Sequence, residues 1–121
     1  MGKSVLIVDD SVSMRQMLKF TLQKAGFAVT EGADGRDGLK QLAAAKPDLI
    51  ITDLNMPNMD GLDFIRGVRA QPNFRSTPIL MLTTESEDGK KQAGKAAGAT
   101  GWIVKPFQPE RLLQVIARVL P

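Results

Sequence analysis

Five short runs, most of them apolar without a break, punctuate this chain: Val5-Leu6-Ile7-Val8, Phe27-Ala28-Val29-Thr30, Leu49-Ile50-Ile51-Thr52, Pro78-Ile79-Leu80-Met81-Leu82 and Trp102-Ile103-Val104. A strand with one face in water alternates apolar and polar residues, so runs that do not alternate suit strands buried on both faces. Segments of helical period lie between them. Met14, Met17, Leu18, Thr21, Leu22 and Ala25 recur at spacings of three and four, with Ser11 or Ser13 as the expected N-cap and Gly26 as the stop. Gly38, Leu39, Leu42 and Ala43 place a second helix that ends before Pro47. Leu62, Ile65 and Val68 place a short third one after the Asp60-Gly61 turn. A small-residue helix is expected over roughly 88–97. Leu112, Leu113, Ile116, Val119 and Leu120 mark the last, with Pro109 near its first position.

Five β–α units in strict alternation predict an open parallel sheet with helices on both faces, the doubly wound α/β class. Right-handed crossovers at this length favour the flavodoxin-like strand order 2-1-3-4-5. With 121 residues the chain is expected to be one domain, 1–121, with no output domain, linker or internal repeat.

The residues missing from the chain narrow its chemistry. There is no cysteine and no histidine. That removes disulfide scaffolds, thiolate zinc sites and cysteine nucleophiles, together with the commonest general base and metal ligand. Any reaction is left to Asp, Glu, Lys, Ser, Thr and the backbone, and any metal is expected to be a hard, oxygen-seeking ion such as Mg2+. The net charge is +3, but the basic residues are scattered among acids and aromatics make up 5% of the chain, so no nucleic-acid surface is expected. No run of about 18 apolar residues is present, and the opening apolar stretch soon meets Asp9-Asp10. Neither a membrane span nor a secretory signal is expected, and the chain reads as cytoplasmic.

In an open parallel sheet, ligands bind beyond the carboxyl ends of the strands. The residues expected there are Asp9 and Asp10, Asp53, Thr83 and Lys105, from the first, third, fourth and fifth strands. Each alone has an ordinary explanation: an Asp after a strand is commonly a cap or turn residue, and a Lys there is commonly solvated. Their conjunction on one side of the sheet is harder to dismiss. Three clustered carboxylates repel and favour protonation unless a cation sits among them, and Mg2+ meets that need through one or two direct carboxylates. Positive charge from Lys105 and a hydroxyl from Thr83 suit a phosphoryl group. No glycine-rich phosphate loop is present, so a nucleotide is not the expected ligand. An Asp carboxylate can itself act as nucleophile and become an aspartyl phosphate.

Taken together, Leu6-Ile7-Val8-Asp9-Asp10-Ser11, Asp53-Leu54-Asn55-Met56-Pro57-Asn58-Met59-Asp60-Gly61, Thr83 and Trp102-Ile103-Val104-Lys105-Pro106-Phe107 resemble bacterial response-regulator receiver domains, most of all the single-domain chemotaxis regulators. The resemblance covers essentially the whole chain. It implies that Asp53 accepts a phosphoryl group from a phosphohistidine on a sensor histidine kinase. It further implies that Asp9, Asp10, Asp53 and the backbone carbonyl of Asn55 hold Mg2+, that Lys105 and Thr83 bind the phosphoryl oxygens, and that the Lys105-Pro106 bond is cis. Trp102 takes the position of an aromatic that rotates inward on activation, and Trp is larger than the Tyr or Phe more often found there; the alternative is a half-buried strand residue with its indole N–H at the surface. Asn55 and Glu85, two residues after Asp53 and Thr83, take the positions that tune attack of water on the aspartyl phosphate, and polar groups at both imply a short-lived phosphorylated state. Thr84 opposes that by narrowing access.

The resemblance implies a signalling switch rather than an enzyme with turnover. Its expected partners are the kinase, a target such as a flagellar motor switch component, and a phosphatase, with the chain itself monomeric. A phosphorelay intermediate or a phosphate sink are the alternative roles. A haloacid-dehalogenase-like phosphatase also joins an Asp nucleophile to a hydroxyl, a Lys and acids, but it needs a general acid two residues after the nucleophile, where this chain has Asn55. A flavin carrier is disfavoured because the carboxylates would repel the cofactor phosphate. On the helix after Thr83, Gly89 and Gly94 predict a weak element able to shift, or else close packing, and Lys90, Lys91 and Lys95 predict a solvated basic face, or else one that meets an acidic partner.

Overall fold

The computed structural model describes residues 3–84 and 88–120. Five strands, β1 (Ser4–Val8), β2 (Ala28–Gly32), β3 (Leu49–Asp53), β4 (Ile79–Thr83) and β5 (Gly101–Val104), alternate with five helices, α1 (Val12–Lys24), α2 (Gly35–Ala45), α3 (Gly61–Arg69), α4 (Asp88–Ala97) and α5 (Pro109–Val119). All strands pair in parallel in the order β2-β1-β3-β4-β5, as the alternation predicts.

Strand parity divides the core into two layers. Val5, Ile7, Leu49, Ile51, Leu80, Leu82 and Ile103 face α1 and α5, where Leu18, Leu22, Leu112 and Ile116 cover them. Leu6, Val8, Ile50, Ile79 and Met81 face the other way, against Leu42, Phe64, Ile65 and Val68 of α2 and α3. Successive side chains on a strand point to opposite faces, so a sheet covered on both sides needs apolar residues at every position. The uninterrupted runs follow from that requirement.

Local chemistry sets the helix boundaries. Ser11 caps α1 by accepting from the Met14 amide at 3.2 Å, Asp34 caps α2 through Asp37, and Asp60 caps α3 through Asp63. Gly26, with φ of +99°, turns the chain after α1 in the left-handed region that glycine enters without penalty. Several boundaries differ from the sequence expectation by a residue or two, and those of β2 and α2 have a clear cause. β2 starts one residue later and runs to Gly32, because Glu31 and Gly32 pair with Ile7 and Val8. α2 is longer, starting at Gly35, because the Asp34 cap lies upstream of its first apolar residue.

The fourth helix shows which reading of its glycines holds. A Cβ on Gly94 would lie 1.9 Å from Met81 Sδ, so close approach of α4 to β4 requires glycine there, whereas a Cβ on Gly89 would meet nothing within 4 Å. No helix among the described residues is long and apolar enough to cross a membrane.

Candidate functional site

The carboxyl edge of the sheet gathers the polar residues. Asp53 is the last residue of β3 and Thr83 the last of β4. Asp9 follows β1, and Lys105 follows β5. Asp9, Asp53 and Thr83 are buried while Asp10 is exposed. One carboxylate oxygen from each of Asp9, Asp10 and Asp53 lies within 4.8 Å of the others.

Backbone contacts hold these groups in place. Asp9 donates its amide to Gly32 O at 3.1 Å, and its Oδ1 accepts from the Ser11 amide at 2.9 Å. Asp53 Oδ1 accepts from the Leu54 amide at 2.8 Å and from Lys105 Nζ at 3.0 Å. Lys105 Nζ also stands 3.7 Å from Asp9 Oδ2, so one ammonium lies between two carboxylates. The Lys105 amide donates to Thr83 O at 2.6 Å, which ties the end of β5 to the end of β4, and the Lys105–Pro106 peptide that follows is cis. Gly61 lets α3 start beneath the site: a Cβ there would lie 2.2 Å from Asp53 O.

Among the described residues, two buried polar atoms, Asp9 Oδ2 and Thr83 Oγ1, have no hydrogen-bond partner. Burial pushes the Asp9 carboxyl above its ordinary value of 3.8, and Asp53 and Asp10 push it the same way, against the Ser11 amide and Lys105. A buried polar group without a partner is costly, so a fold that keeps two of them at the carboxyl edge of one sheet, on the strands either side of β3, leaves hydrogen-bonding capacity for a ligand. The donor set is all oxygen, with one ammonium nearby. It fits a hard divalent cation among the acids, with an anionic group bridging to Lys105 and Thr83.

The structure thus brings together Asp9, Asp10, Asp53, Thr83 and Lys105. Asn55 lies on the rim, where its Oδ1 accepts from Lys90 Nζ of α4. Trp102 is set apart: it is 39% exposed, with Lys91 Nζ 5.5 Å and Lys95 Nζ 6.0 Å from its ring centroid. The outward indole therefore carries a cation–π cluster on the α4 side. Two of the lysines expected to be merely solvated stack there, and the third reaches Asn55. Glu85 lies outside the described residues.

Sequence reasoning passed over Arg15. Its Nη1 donates to Asp9 O at 2.5 Å and its Nε to Glu31 Oε1 at 3.2 Å, while Lys19 Nζ stands 3.3 Å from Glu31 Oε2. This network braces the turn that carries Asp9 and Asp10. A basic residue one turn into α1, with an acid at the end of the neighbouring strand, was the available signal.

An α/β domain of flavodoxin-like topology, with acids, a hydroxyl and an ammonium converging beyond the ends of β1, β3, β4 and β5, defines the class of protein. The model of the response regulator receiver domain matches residues 5–117, and the chain belongs to that family. It is 41% identical over 118 residues to the chemotaxis protein CheY1 of Helicobacter pylori, covering 96% of this chain and 95% of that one. It is 38% identical over 119 residues to the alkaline phosphatase synthesis transcriptional regulatory protein PhoP of Bacillus subtilis, covering 98% of this chain but 48% of PhoP, so it spans about half the length of that relative. Among solved structures, the chemotaxis protein CheY4 of Vibrio cholerae superposes with a TM-score of 0.95 at 55% identity, covering 99% of this chain and 100% of that one. The receiver domain of the sensor histidine kinase PA1611 of Pseudomonas aeruginosa, solved with a magnesium ion in its active-site cleft, gives a TM-score of 0.91 at 29% identity, covering 99% of this chain and 98% of that one.

Proposed function

We propose that this receiver domain takes a phosphoryl group onto Asp53 from a phosphohistidine of a sensor histidine kinase and thereby switches its binding to a target protein. The observation that carries the reading is the placement of the Asp53 carboxylate: 3.0 Å from Lys105, inside the acidic cluster, and next to a strand whose last residue, Thr83, keeps a buried hydroxyl without a partner. In the transfer, a carboxylate oxygen of Asp53 bonds to phosphorus as the P–N bond to the histidine breaks, and the imidazole leaves with the electron pair. Lys105 neutralises a phosphoryl oxygen as it does Asp53 Oδ1 in the free protein, and the Thr83 hydroxyl gains the acceptor it lacks.

Asp9, Asp10, Asp53 and the Asn55 backbone carbonyl are the residues that would hold Mg2+, whose charge, when bound, offsets repulsion between the acids and the incoming phosphoryl group. The switch follows from the same contacts. Drawing Thr83 and Lys105 toward the new oxygens pulls on the ends of β4 and β5, next to which Trp102 and α4 lie. In the free protein Trp102 stands outward with Lys91 and Lys95 against it, and an inward turn of the indole would break that cluster.

This reading makes the chain a switch whose only chemistry is its own phosphorylation and dephosphorylation, working as a monomer in the cytoplasm beside its kinase. Chemotaxis, through a flagellar motor component, is the favoured role, supported by the names of the relatives that match over nearly their full length. The test is intact-mass measurement with Mg2+ and acetyl phosphate, comparing wild type with Asp53→Asn while following Trp102 fluorescence. A reversible phosphoryl gain in wild type alone supports the acceptor, and full labelling of Asp53→Asn would sink it. Binding of the phosphorylated form to a motor component separates the chemotaxis role from a phosphorelay or phosphate-sink role.

A further inference from the structure

Lys90, in the first turns of α4, donates from Nζ to the side-chain carbonyl of Asn55. The two residues are 35 apart in sequence, and the bond ties α4 to the loop that follows Asp53, two residues beyond the acceptor. A lysine ammonium can only donate, so the end of the amide that it meets must be Oδ1. The orientation of Asn55, elsewhere a matter of choosing between N and O, is here dictated by its partner. Both residues are exposed, which places the contact on the solvent side of the site.

That orientation bears on how an aspartyl phosphate would be lost. In hydrolysis a water oxygen bonds to phosphorus, the bond from phosphorus to the Asp53 oxygen breaks, and the carboxylate leaves with the electron pair. Both water hydrogens remain with the released phosphate, which then equilibrates with solvent. A side chain that accepts a hydrogen bond from the water aims its lone pair at phosphorus, the service an orienting residue performs in phosphoryl transfer. An amide carbonyl can do this. An amide NH2 cannot, because it donates to the lone pair that attack requires or to a phosphoryl oxygen.

We infer that Lys90 is a positioning residue that prolongs the phosphorylated state by holding the Asn55 carbonyl toward α4, so that this carbonyl does not orient the attacking water. The inference rests on the acceptor reading of Asp53. It assigns the α4 lysine a part in timing the signal, and it predicts the direction of the effect: loss of the lysine shortens the lifetime.

The test loads the full chain with acetyl phosphate and Mg2+, removes the donor by rapid desalting, and follows decay of the phosphorylated species by intact mass. Lys90→Met and Lys90→Arg are compared with wild type, each with Asn55 present and in an Asn55→Ala background. Lys90→Met should decay about 3–10-fold faster, the effect of freeing one hydrogen-bonding group in the transition state. Lys90→Arg, which still donates, should stay near wild type. In the Asn55→Ala background Lys90→Met should change nothing, since a general charge effect would survive loss of the amide and an orientation effect would not. Unchanged or slower decay of Lys90→Met, equal acceleration without Asn55, or failure of Lys90→Met to load where wild type loads would each overturn the inference. A wild-type chain that gains no phosphoryl mass would instead overturn the acceptor reading, and this inference with it.

Discussion

Replacing Thr83 by valine separates what the site costs the fold from what it contributes to signalling. Thr83 is fully buried, and its hydroxyl has no hydrogen-bond partner among the described residues. Valine keeps the β-branched shape and exchanges the hydroxyl for a methyl group. An unpaired buried hydroxyl costs about 1–3 kcal/mol, so the substitution should return that amount to the free protein. An unfolding entropy of about 2.1 cal/mol/K per residue over 121 residues gives roughly 0.25 kcal/mol/K, and the midpoint should rise by about 4–12 °C. Circular-dichroism melts of wild type and Thr83→Val without phosphodonor measure the shift. On the proposed switch, the same variant should still gain a phosphoryl group at Asp53 yet lose any Trp102 fluorescence change, because the hydroxyl proposed to draw β4 toward the phosphoryl oxygens is gone. A midpoint at or below that of wild type would refute the reasoning, since it would mean that the hydroxyl is satisfied in the free protein and is not held in reserve for a ligand.

Further outcomes follow from the same geometry. Burial raises the Asp9 carboxyl above 3.8, so the folded state holds this proton more tightly than the unfolded chain and loses stability as pH rises from about the unfolded value through the folded one. In chelator, Asp9→Asn should therefore be the more stable form at neutral pH, with the gap closing in acid; parallel midpoints across a pH series would contradict this. Gly94→Ala sets a Cβ 1.9 Å from the buried Met81 sulfur, and overpacking of about 1–3 kcal/mol should outweigh the roughly 1 kcal/mol of helix propensity gained. Gly89→Ala meets nothing and should gain up to about 1 kcal/mol, so urea unfolding of the pair should move in opposite directions. Lys105→Arg should still be phosphorylated but should not switch. A planar fork cannot take the place of a compact ammonium 3.0 Å from Asp53 and 3.7 Å from Asp9, and a normal Trp102 response in the phosphorylated variant would remove Lys105 from the switch.

The parts of the molecule legible in the sequence are those decided by short-range geometry. Because a strand exposes alternate residues to its two faces, the unbroken run Leu49-Ile50-Ile51 announces a strand covered on both sides. Strict alternation with helices then leaves few topologies. Asp9, Asp53, Thr83 and Lys105 each terminate a strand or directly follow one, so a parallel sheet must bring them to one edge. Sheet geometry alone therefore makes one set of the acids, the hydroxyl and the ammonium.

What tertiary structure decided depends on side chains that meet across loops and layers. Nothing near Lys90 in sequence announces Asn55, and nothing near Arg15 announces the Asp9 carbonyl; these partners meet only once the sheet has formed. Arg69, which donates to the carbonyls of Gly98, Phe74 and Thr77, was equally unreadable as a tie between α3 and two loops. The outward setting of Trp102 beneath Lys91 and Lys95, and the packing reason for Gly94, belong to the same category. Periodicity and caps act over a few residues and are written in the chain. A long flexible side chain chooses its partner from whatever the fold brings within its reach, and only the packed molecule determines that.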